Sequence, residues 1–223
     1  MLEINKHSFI KIQSLDSYQT ILLCYCYIYA DENEDIFMKF KRYNYKKKNG
    51  QEMFEHSHNF MQLMLSRRSI RDFSSKAVPD NVIENILKTA ISSPSGANKQ
   101  PWSFVVVKSK GLKKKIRIAA EQEEKKFYEQ RATDEWLDDL NKFGTSWEKP
   151  FLEEAPALII IFRQSYDNSG SKKRKNYYVN ESVGIASGFL LTAIQNAGLV
   201  CLTHTPSPMG FLEQILERPK NEK

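Results

Sequence analysis

The order of apolar and polar residues along the chain predicts helices that alternate with short strands. Apolar residues recur at helical spacing in three segments: residues 52–65, 79–91 and 177–197. Pro79 is suited to the start of the second segment, and Gly198 to the end of the third. A short last helix is predicted over residues 210–217. These patterns indicate that a folded domain begins at residue 52.

Three mostly apolar runs predict strands that are buried in a sheet: residues 102–107, 157–162 and 199–203. Helices on the faces of such a sheet indicate an α+β or α/β domain. Three strands are few for so many helices, so we expect a strand to be missing or borrowed. Residues 1–51, with an acidic cluster and a basic turn, are predicted to form a weakly structured leader.

The segment 108–149 is highly charged and is predicted to be helical through about Arg131, with a second helix over residues 133–143. Composition narrows the class of protein further. The chain has 223 residues, of which 41% are hydrophobic, and a net charge of +6 that is scattered, so nucleic-acid binding is not required. Three cysteines form no disulfide framework, and the longest uncharged run, residues 17–30, is too short to cross a bilayer.

Residues 67–71 (RRSIR) place three guanidinium groups and a hydroxyl at the end of the first predicted helix. Guanidinium groups bind phosphate oxygens in a bidentate manner, so this run is a candidate phosphate site. The alternative interpretation is a solvated basic turn.

Two loops have residues suited to contact with a flat ligand. Gly96, in the loop PSGAN of residues 94–98, allows close approach of the backbone, whose N–H groups can donate to an anion. Residues 203–205 (THT) follow a predicted strand at its carboxyl end, where α/β proteins usually bind ligands. An ordinary connecting loop and a half-buried histidine are the alternatives. No metal site is predicted, since His204 has no second ligand at metal-binding spacing.

Glu124 and Tyr128 are four residues apart and share a helix face, and Lys149 follows the second charged helix. If they meet, a carboxylate, a hydroxyl and an ammonium can hold a zwitterion. The alternative is solvated surface charge. Together with the arginines and the loops, the pattern suggests a nucleotide-like cofactor. The chain has neither G-x-G-x-x-G nor G-x-x-x-x-G-K-[ST], which argues against a Rossmann site and against a nucleoside triphosphatase.

Residues 66–73 (SRRSIRDF), Pro79 at a helix start and residues 94–107 (PSGANKQPWSFVVV) resemble the flavin-dependent nitroreductase superfamily. From about Phe37 onward, the chain resembles the branch that removes halide from halogenated tyrosine. The resemblance implies a three-layer fold with a central mixed sheet, and a further strand that lies beyond residue 223. The expected organisation is therefore a nitroreductase-like FMN domain over residues 52–223 with a lid at about 108–149, lacking its last strand.

The resemblance also implies the roles of individual residues. Thr205, through flavin N5, and the backbone N–H of Ala97, through the phenolate oxygen, are the implied catalytic groups. Glu124, Tyr128 and Lys149 would hold the amino-acid zwitterion, with Ala97 as a further substrate contact. The implied FMN ligands are Arg67, Arg68, Ser69, Ile70, Arg71, Ser95, Thr203, His204 and Thr205. His204 departs from the family pattern, which has a threonine there.

As an enzyme, the chain is expected to dehalogenate iodotyrosine or a related halotyrosine with FMN and electrons derived from NADPH or a reductase. A homodimer and association with a membrane are implied by the resemblance, and a cytoplasmic location is the alternative because no membrane span is evident. Two other functions stay open. One is a flavin oxidoreductase acting on nitroaromatics or quinones; the other is a truncated, non-catalytic homologue.

Overall fold

The computed structural model describes residues 2–5, 9–12, 46–168 and 172–223 of the chain. The helices are α1 Gly50–Leu65, α2 Asp80–Ile91, α3 Lys110–Lys126, α4 Asp134–Asn141, α5 Phe151–Glu154, α6 Val179–Asn196 and α7 Gly210–Ile215. The strands are β1 Leu2–Asn5, β2 Phe9–Ile12, β3 Trp102–Val107, β4 Leu158–Arg163, β5 Tyr166–Asp167 and β6 Arg174–Lys175. A π-helical turn, Phe127–Arg131, extends α3.

The main sheet has four strands in the order β2-β1-β3-β4, and β5 and β6 form a separate hairpin. All of these strand pairs are antiparallel. Parallel pairing is limited, among the described residues, to a single bridge between Ser69 and Cys201. The expected α+β class is confirmed, and the mixed character of the sheet is confined to that bridge.

The core forms two layers because β3 is buried on both faces. Phe104 and Val106 pack against α2 and α6, and Val105 and Val107 face α3 and α7. Successive side chains of a strand point to opposite faces, so one strand supplies both cores. Full burial of each such side chain contributes about 1.5–3 kcal/mol. The predicted arrangement of helices on both sides of a sheet is therefore confirmed.

The helix ends agree with the local signals in the sequence. The side chain of Asn49 accepts a hydrogen bond from the N–H of Glu52 at 2.9 Å, and the carboxylate of Glu52 accepts one from the N–H of Asn49 at 2.8 Å. This capping box satisfies two N–H groups that the helix itself leaves unpaired. Helix α2 begins directly after Pro79, and Gly198 follows α6 at a φ of +72°.

The prediction of a buried strand over residues 199–203 is wrong. Only Cys201 forms a bridge there, with the N–H of Ile70 donating to its carbonyl at 3.3 Å, and Val200 is 54% exposed. An apolar run becomes a buried strand only if it has neighbours on both edges and both faces. Here the described residues supply one neighbouring segment, at residues 69–70. The short helix α5 was not predicted, because Pro150 and Pro156 obscure its single turn.

Most of the predicted leader, residues 1–51, lies outside the described residues. Within its range, β1 pairs with β3 along the edge that faces away from β4, and α1 begins two residues before the predicted domain start. The sheet therefore has a strand that the apolar pattern did not indicate. None of the helices in the described part of the chain is long and apolar enough to span a membrane.

The carboxyl end of the described chain lies against β4. The backbones of Arg163 and Lys223 exchange two hydrogen bonds of 2.9 Å. The side chain of Glu222 is 1% exposed, accepts a hydrogen bond from Ser103 Oγ at 2.5 Å and forms an ion pair with Arg218 at 2.7 Å. A carboxylate is stable in such a place only when it has partners of this kind.

We expect Glu222→Ala to lower the free energy of unfolding by about 3–5 kcal/mol, because it leaves the buried Arg218 guanidinium without this partner. The matched control is Lys220→Ala, which removes an exposed charge from the same segment. Urea unfolding of both variants measures the effect. Equal midpoints for the two variants would contradict the importance of the pair.

Candidate functional site

The segments that carry the candidate arginines and threonines lie side by side. The bridge between Ser69 and Cys201 aligns residues 67–71 with the backbone that leads to Thr203 and Thr205. Gln195 Nε2 adds hydrogen bonds to Ser66 Oγ at 2.9 Å and to the carbonyl of Leu63 at 3.3 Å, which fixes the end of α1 against α6. Two sequence-predicted groups separated by about 130 residues are thereby brought together.

The three arginines are placed differently. Arg68 donates to the carbonyls of Leu65 and Arg67 at 2.6 and 2.9 Å and so caps the end of α1. Arg67 is close enough to lower the pKa of Cys201 electrostatically, although burial dominates and raises the pKa of that thiol. Arg71 lies over the Phe143 ring at 5.7 Å. The guanidinium groups of Arg67 and Arg71 form no ion pair with a carboxylate of the described residues.

Glu124, Tyr128 and Lys149 lie together, although helical spacing relates only the first two. Lys149 Nζ lies 3.3 Å from Glu124 Oε2, and the side chains are only 5% and 12% exposed. The same ammonium lies 5.4 Å from the centre of the Tyr128 ring. Burial raises the pKa of the Tyr128 phenol; a hydrogen bond with the Thr145 side chain opposes this, the charge of Glu124 adds to it, and the charge of Arg71 opposes it. The trio forms a buried cluster rather than solvated surface charge.

His204 connects this cluster to the loop of the threonines. Its Nε2 atom lies 3.9 Å from Glu124 Oε1, its side chain is 18% exposed, and its ring packs edge-on against Phe151 with 5.5 Å between centroids. Nε2 is buried and has no hydrogen-bond partner among the residues that the structure describes. Burial, aided by the charge of Lys149, lowers the pKa of His204 to about 4, so the ring is neutral at neutral pH.

Glu121 and Arg117 hold the end of the charged segment 108–149 in place, and neither residue was a candidate from the sequence. Glu121 Oε1 accepts a hydrogen bond from the backbone N–H of Lys149 and another from Arg117 Nε, both at 2.7 Å. Arg117 also pairs with Glu153 at 2.9 Å. The spacing of Arg117 and Glu121 is a helical pair signal, but it does not indicate that Lys149 is the third partner.

The loop at residues 94–98 stands apart from the other groups. Gly96 donates to Ser182 Oγ at 3.2 Å, and Ser95 Oγ accepts from the N–H of Gln100 at 2.8 Å. A side chain at Gly96 would come within 2.9 Å of Tyr178, which explains the glycine. Ala97 is exposed and has a φ of +50°, a strained value that often accompanies function. The hydrogen bond from Gly96 therefore joins this loop to α6. No hydrogen bond in the described part of the chain joins Ser95 or Ala97 to the arginines or to the threonines.

The buried neutral His204 predicts a pH dependence of stability. Its folded-state pKa of about 4 lies below the usual 6.5, so between these pH values the unfolded chain binds more protons. We expect the free energy of unfolding of the parent protein to fall by up to about 3 kcal/mol relative to His204→Gln as the pH is lowered from 6.5 to 4.

Denaturant unfolding across this pH range measures the difference, and His58→Gln, at an exposed position of α1, is the matched control. The control should follow the parent. Parallel curves for the parent and His204→Gln would show that His204 is not buried in its neutral form.

Comparison of the chain with known proteins shows the family to which it belongs. The chain matches the nitroreductase family over residues 64–223. It is 59% identical over 174 residues to an iodotyrosine deiodinase from Haliscomenobacter hydrossis, covering 78% of either chain. It is 47% identical over 194 residues to an iodotyrosine deiodinase from Hydra vulgaris, covering 85% of this chain and 71% of the relative. Some animal relatives are longer, and the match covers 59% or 60% of them.

The solved structures agree. A crystal structure of oxidized iodotyrosine deiodinase bound to FMN and 3-iodo-L-tyrosine superposes with a TM-score of 0.66 at 33% sequence identity. That match covers 74% of this chain and 84% of the other. The family match includes the arginine run, the threonine loop and the charged segment 108–149. The chain therefore belongs to the nitroreductase family and, within it, groups with the iodotyrosine deiodinases.

Proposed function

We propose that this chain is an FMN-dependent enzyme that reductively removes halide from halogenated tyrosine. The observation that carries the proposal is the buried ion pair of Glu124 and Lys149, which lies beside Tyr128 and next to the threonine loop. A flavoenzyme that reduces nitroaromatics has no need for a buried pair of opposite charges. An amino-acid substrate needs both of them, because it presents an ammonium and a carboxylate.

The pair can exchange its internal contact for contacts with a zwitterion. Glu124 is the counter-ion for the substrate ammonium, and Lys149 is the counter-ion for the substrate carboxylate. In a site with so little solvent, each charge must have a partner, and the pair supplies this in the protein without substrate. The phenol of Tyr128 is a further hydrogen-bonding group at the same cluster. We propose that these residues select an α-amino acid.

The residues on the other side of the site fit FMN. Arg67 and Arg71 present guanidinium groups that are not neutralised by a carboxylate of the described chain, as a phosphate site requires. Burial lowers the pKa of the adjoining His204 to about 4 and so keeps the ring uncharged. The residues that would hold FMN are Arg67, Arg68, Ser69, Ile70, Arg71, Ser95, Thr203, His204 and Thr205.

Reduced FMN, when bound, supplies the electrons that replace a carbon–halogen bond by a carbon–hydrogen bond. The chain's own residues orient the substrate and exclude water. The lid, anchored through Glu121 and Lys149, covers the substrate end of the site, which strengthens the electrostatic contacts inside. Thr205 would donate a hydrogen bond to the flavin. We assign the backbone N–H of Ala97, in its strained and exposed loop, to the phenolate oxygen of the substrate.

The proposed enzyme is a homodimer that receives NADPH-derived electrons. Helix α1 has no buried residue, and most of its large apolar side chains are exposed, as are two of those of α6. A monomer rarely leaves such a surface in water. The exposed apolar side chains of these two helices are Met53, Phe54, Phe60, Met61, Leu65, Ile185 and Phe189. Sedimentation of the FMN-loaded protein measures the oligomeric state.

The proposal is tested by anaerobic turnover of the FMN-loaded protein with dithionite as the reductant. We expect 3-iodotyrosine to yield tyrosine and iodide, and the flavin absorption to change when 3-iodotyrosine is added to the oxidised protein. A nitroaromatic compound is the comparison substrate. Turnover of the nitroaromatic with no release of iodide would favour a general flavin oxidoreductase, and a colourless protein that takes up no FMN would favour a non-catalytic homologue.

Lys149→Ala should raise the dissociation constant for iodotyrosine about tenfold or more, because a charge-assisted hydrogen bond contributes about 1.5–3 kcal/mol. Lys142→Ala is the matched control, since Lys142 lies in the same lid but pairs with Asp139 at the surface. Calorimetric titration of the FMN-loaded proteins measures both constants. Equal affinity of Lys149→Ala and the parent would refute the assignment of Lys149 to the substrate carboxylate.

A further inference from the structure

His204 and Glu124 place two hydrogen-bond acceptors opposite each other in a buried position. Glu124 Oε1 faces His204 Nε2 at 3.9 Å, which is too long for a hydrogen bond between them. Among the described residues, Nε2 has no hydrogen-bond partner and no hydrogen bond reaches Glu124 Oε1. Because buried polar atoms are rarely left unpaired, this arrangement calls for a donor group that the described part of the chain does not supply.

Lys149 does not fill this role, because its ammonium has other partners. The ammonium donates hydrogen bonds to Thr145 Oγ1 at 3.4 Å and to the carbonyl of Ser146, and it forms an ion pair with Glu124 Oε2 at 3.3 Å. The ammonium therefore takes one oxygen of the Glu124 carboxylate and leaves the other, Oε1, directed at His204. The packing of Phe151 against the imidazole holds the ring in that direction.

The chemical class of the missing donor follows from the two acceptors. Two atoms separated by 3.9 Å can both lie about 2.8 Å from one nitrogen that carries several hydrogens. With its proton on Nδ1, neutral imidazole is an acceptor at Nε2, and the carboxylate adds a negative charge. A primary ammonium group satisfies both acceptors and also the charge.

We propose that His204 is a substrate-binding residue whose Nε2, together with Glu124 Oε1, accepts the ammonium group of the amino-acid substrate. This inference rests on the proposed function and adds a specificity determinant to it. His204 would make the site selective for a free amine. Its position between two threonines of the cofactor loop would also couple recognition of the amine to the loop that lines the flavin.

The test compares two ligands that differ only in the amine: 3-iodotyrosine and 3-(4-hydroxy-3-iodophenyl)propionate. Their affinities are measured calorimetrically with the FMN-loaded parent, with His204→Leu and with His204→Gln. Leucine fills similar space without an acceptor, and glutamine places an amide oxygen near the position of Nε2. We expect His204→Leu to weaken iodotyrosine binding about tenfold, and the amine-free ligand less than about twofold. His204→Gln should keep iodotyrosine affinity within about threefold of the parent.

Three results would overturn the inference: equal weakening of both ligands in His204→Leu, unchanged binding of both, or a His204→Gln variant that behaves like His204→Leu. The first of these would indicate that the ring only fills space against Phe151. Failure of the proposed function looks different. If the parent releases no iodide but still loses amine-dependent affinity in His204→Leu, the proposed reaction is wrong and the assignment of His204 stands.

Discussion

The ion pair between Lys149 and Glu124 is the contact on which the arrangement of the candidate site depends. Both side chains are almost fully buried, and a charge in that position is tolerated only beside an opposite charge and further hydrogen bonds. Lys149 is bound at two levels, since its backbone N–H also donates to Glu121. The charged lid is otherwise rich in exposed pairs that contribute little. One buried ion pair therefore fixes the end of the charged segment 108–149, at Lys149, against α3.

A second constraint brings the cofactor segments together. The bridge between Ser69 and Cys201 and the hydrogen bonds from Gln195 join the end of α1 to the backbone after α6. Two guanidinium groups are gathered there without a carboxylate of the described residues to neutralise them. His204 links this part to the lid through its approach to Glu124. The candidate site therefore extends from the arginines through His204 to Glu124 and Lys149. The loop that contains Ala97 is instead hydrogen-bonded to α6 through Gly96 and Ser182.

Prediction from the sequence succeeded where local rules determine the outcome. Periodicity and the chemistry of helix ends predict three elements correctly: the helix that follows Pro79, the strand at residues 102–107 and the end of α6 at Gly198. It failed over residues 199–203, where an apolar run was taken for a buried strand. Whether such a run pairs depends on neighbours that are distant in sequence, and Cys201 finds only Ser69. The pairing of β1 with β3 has the same non-local origin.

For the site, the chemical groups could be read from the sequence alone: guanidinium groups at a helix end, and a glutamate and a tyrosine on one helix face. The family motifs were also visible there. The contact of Lys149 with Glu124, the anchoring of Lys149 by Glu121, and the approach of His204 to the remaining carboxylate oxygen emerge only in the folded chain. The difference lies in the distance along the chain over which each signal acts. Helical spacing relates residues within one or two turns, whereas the direction of a loop is set by packing and by the pairing of buried charges across the whole fold.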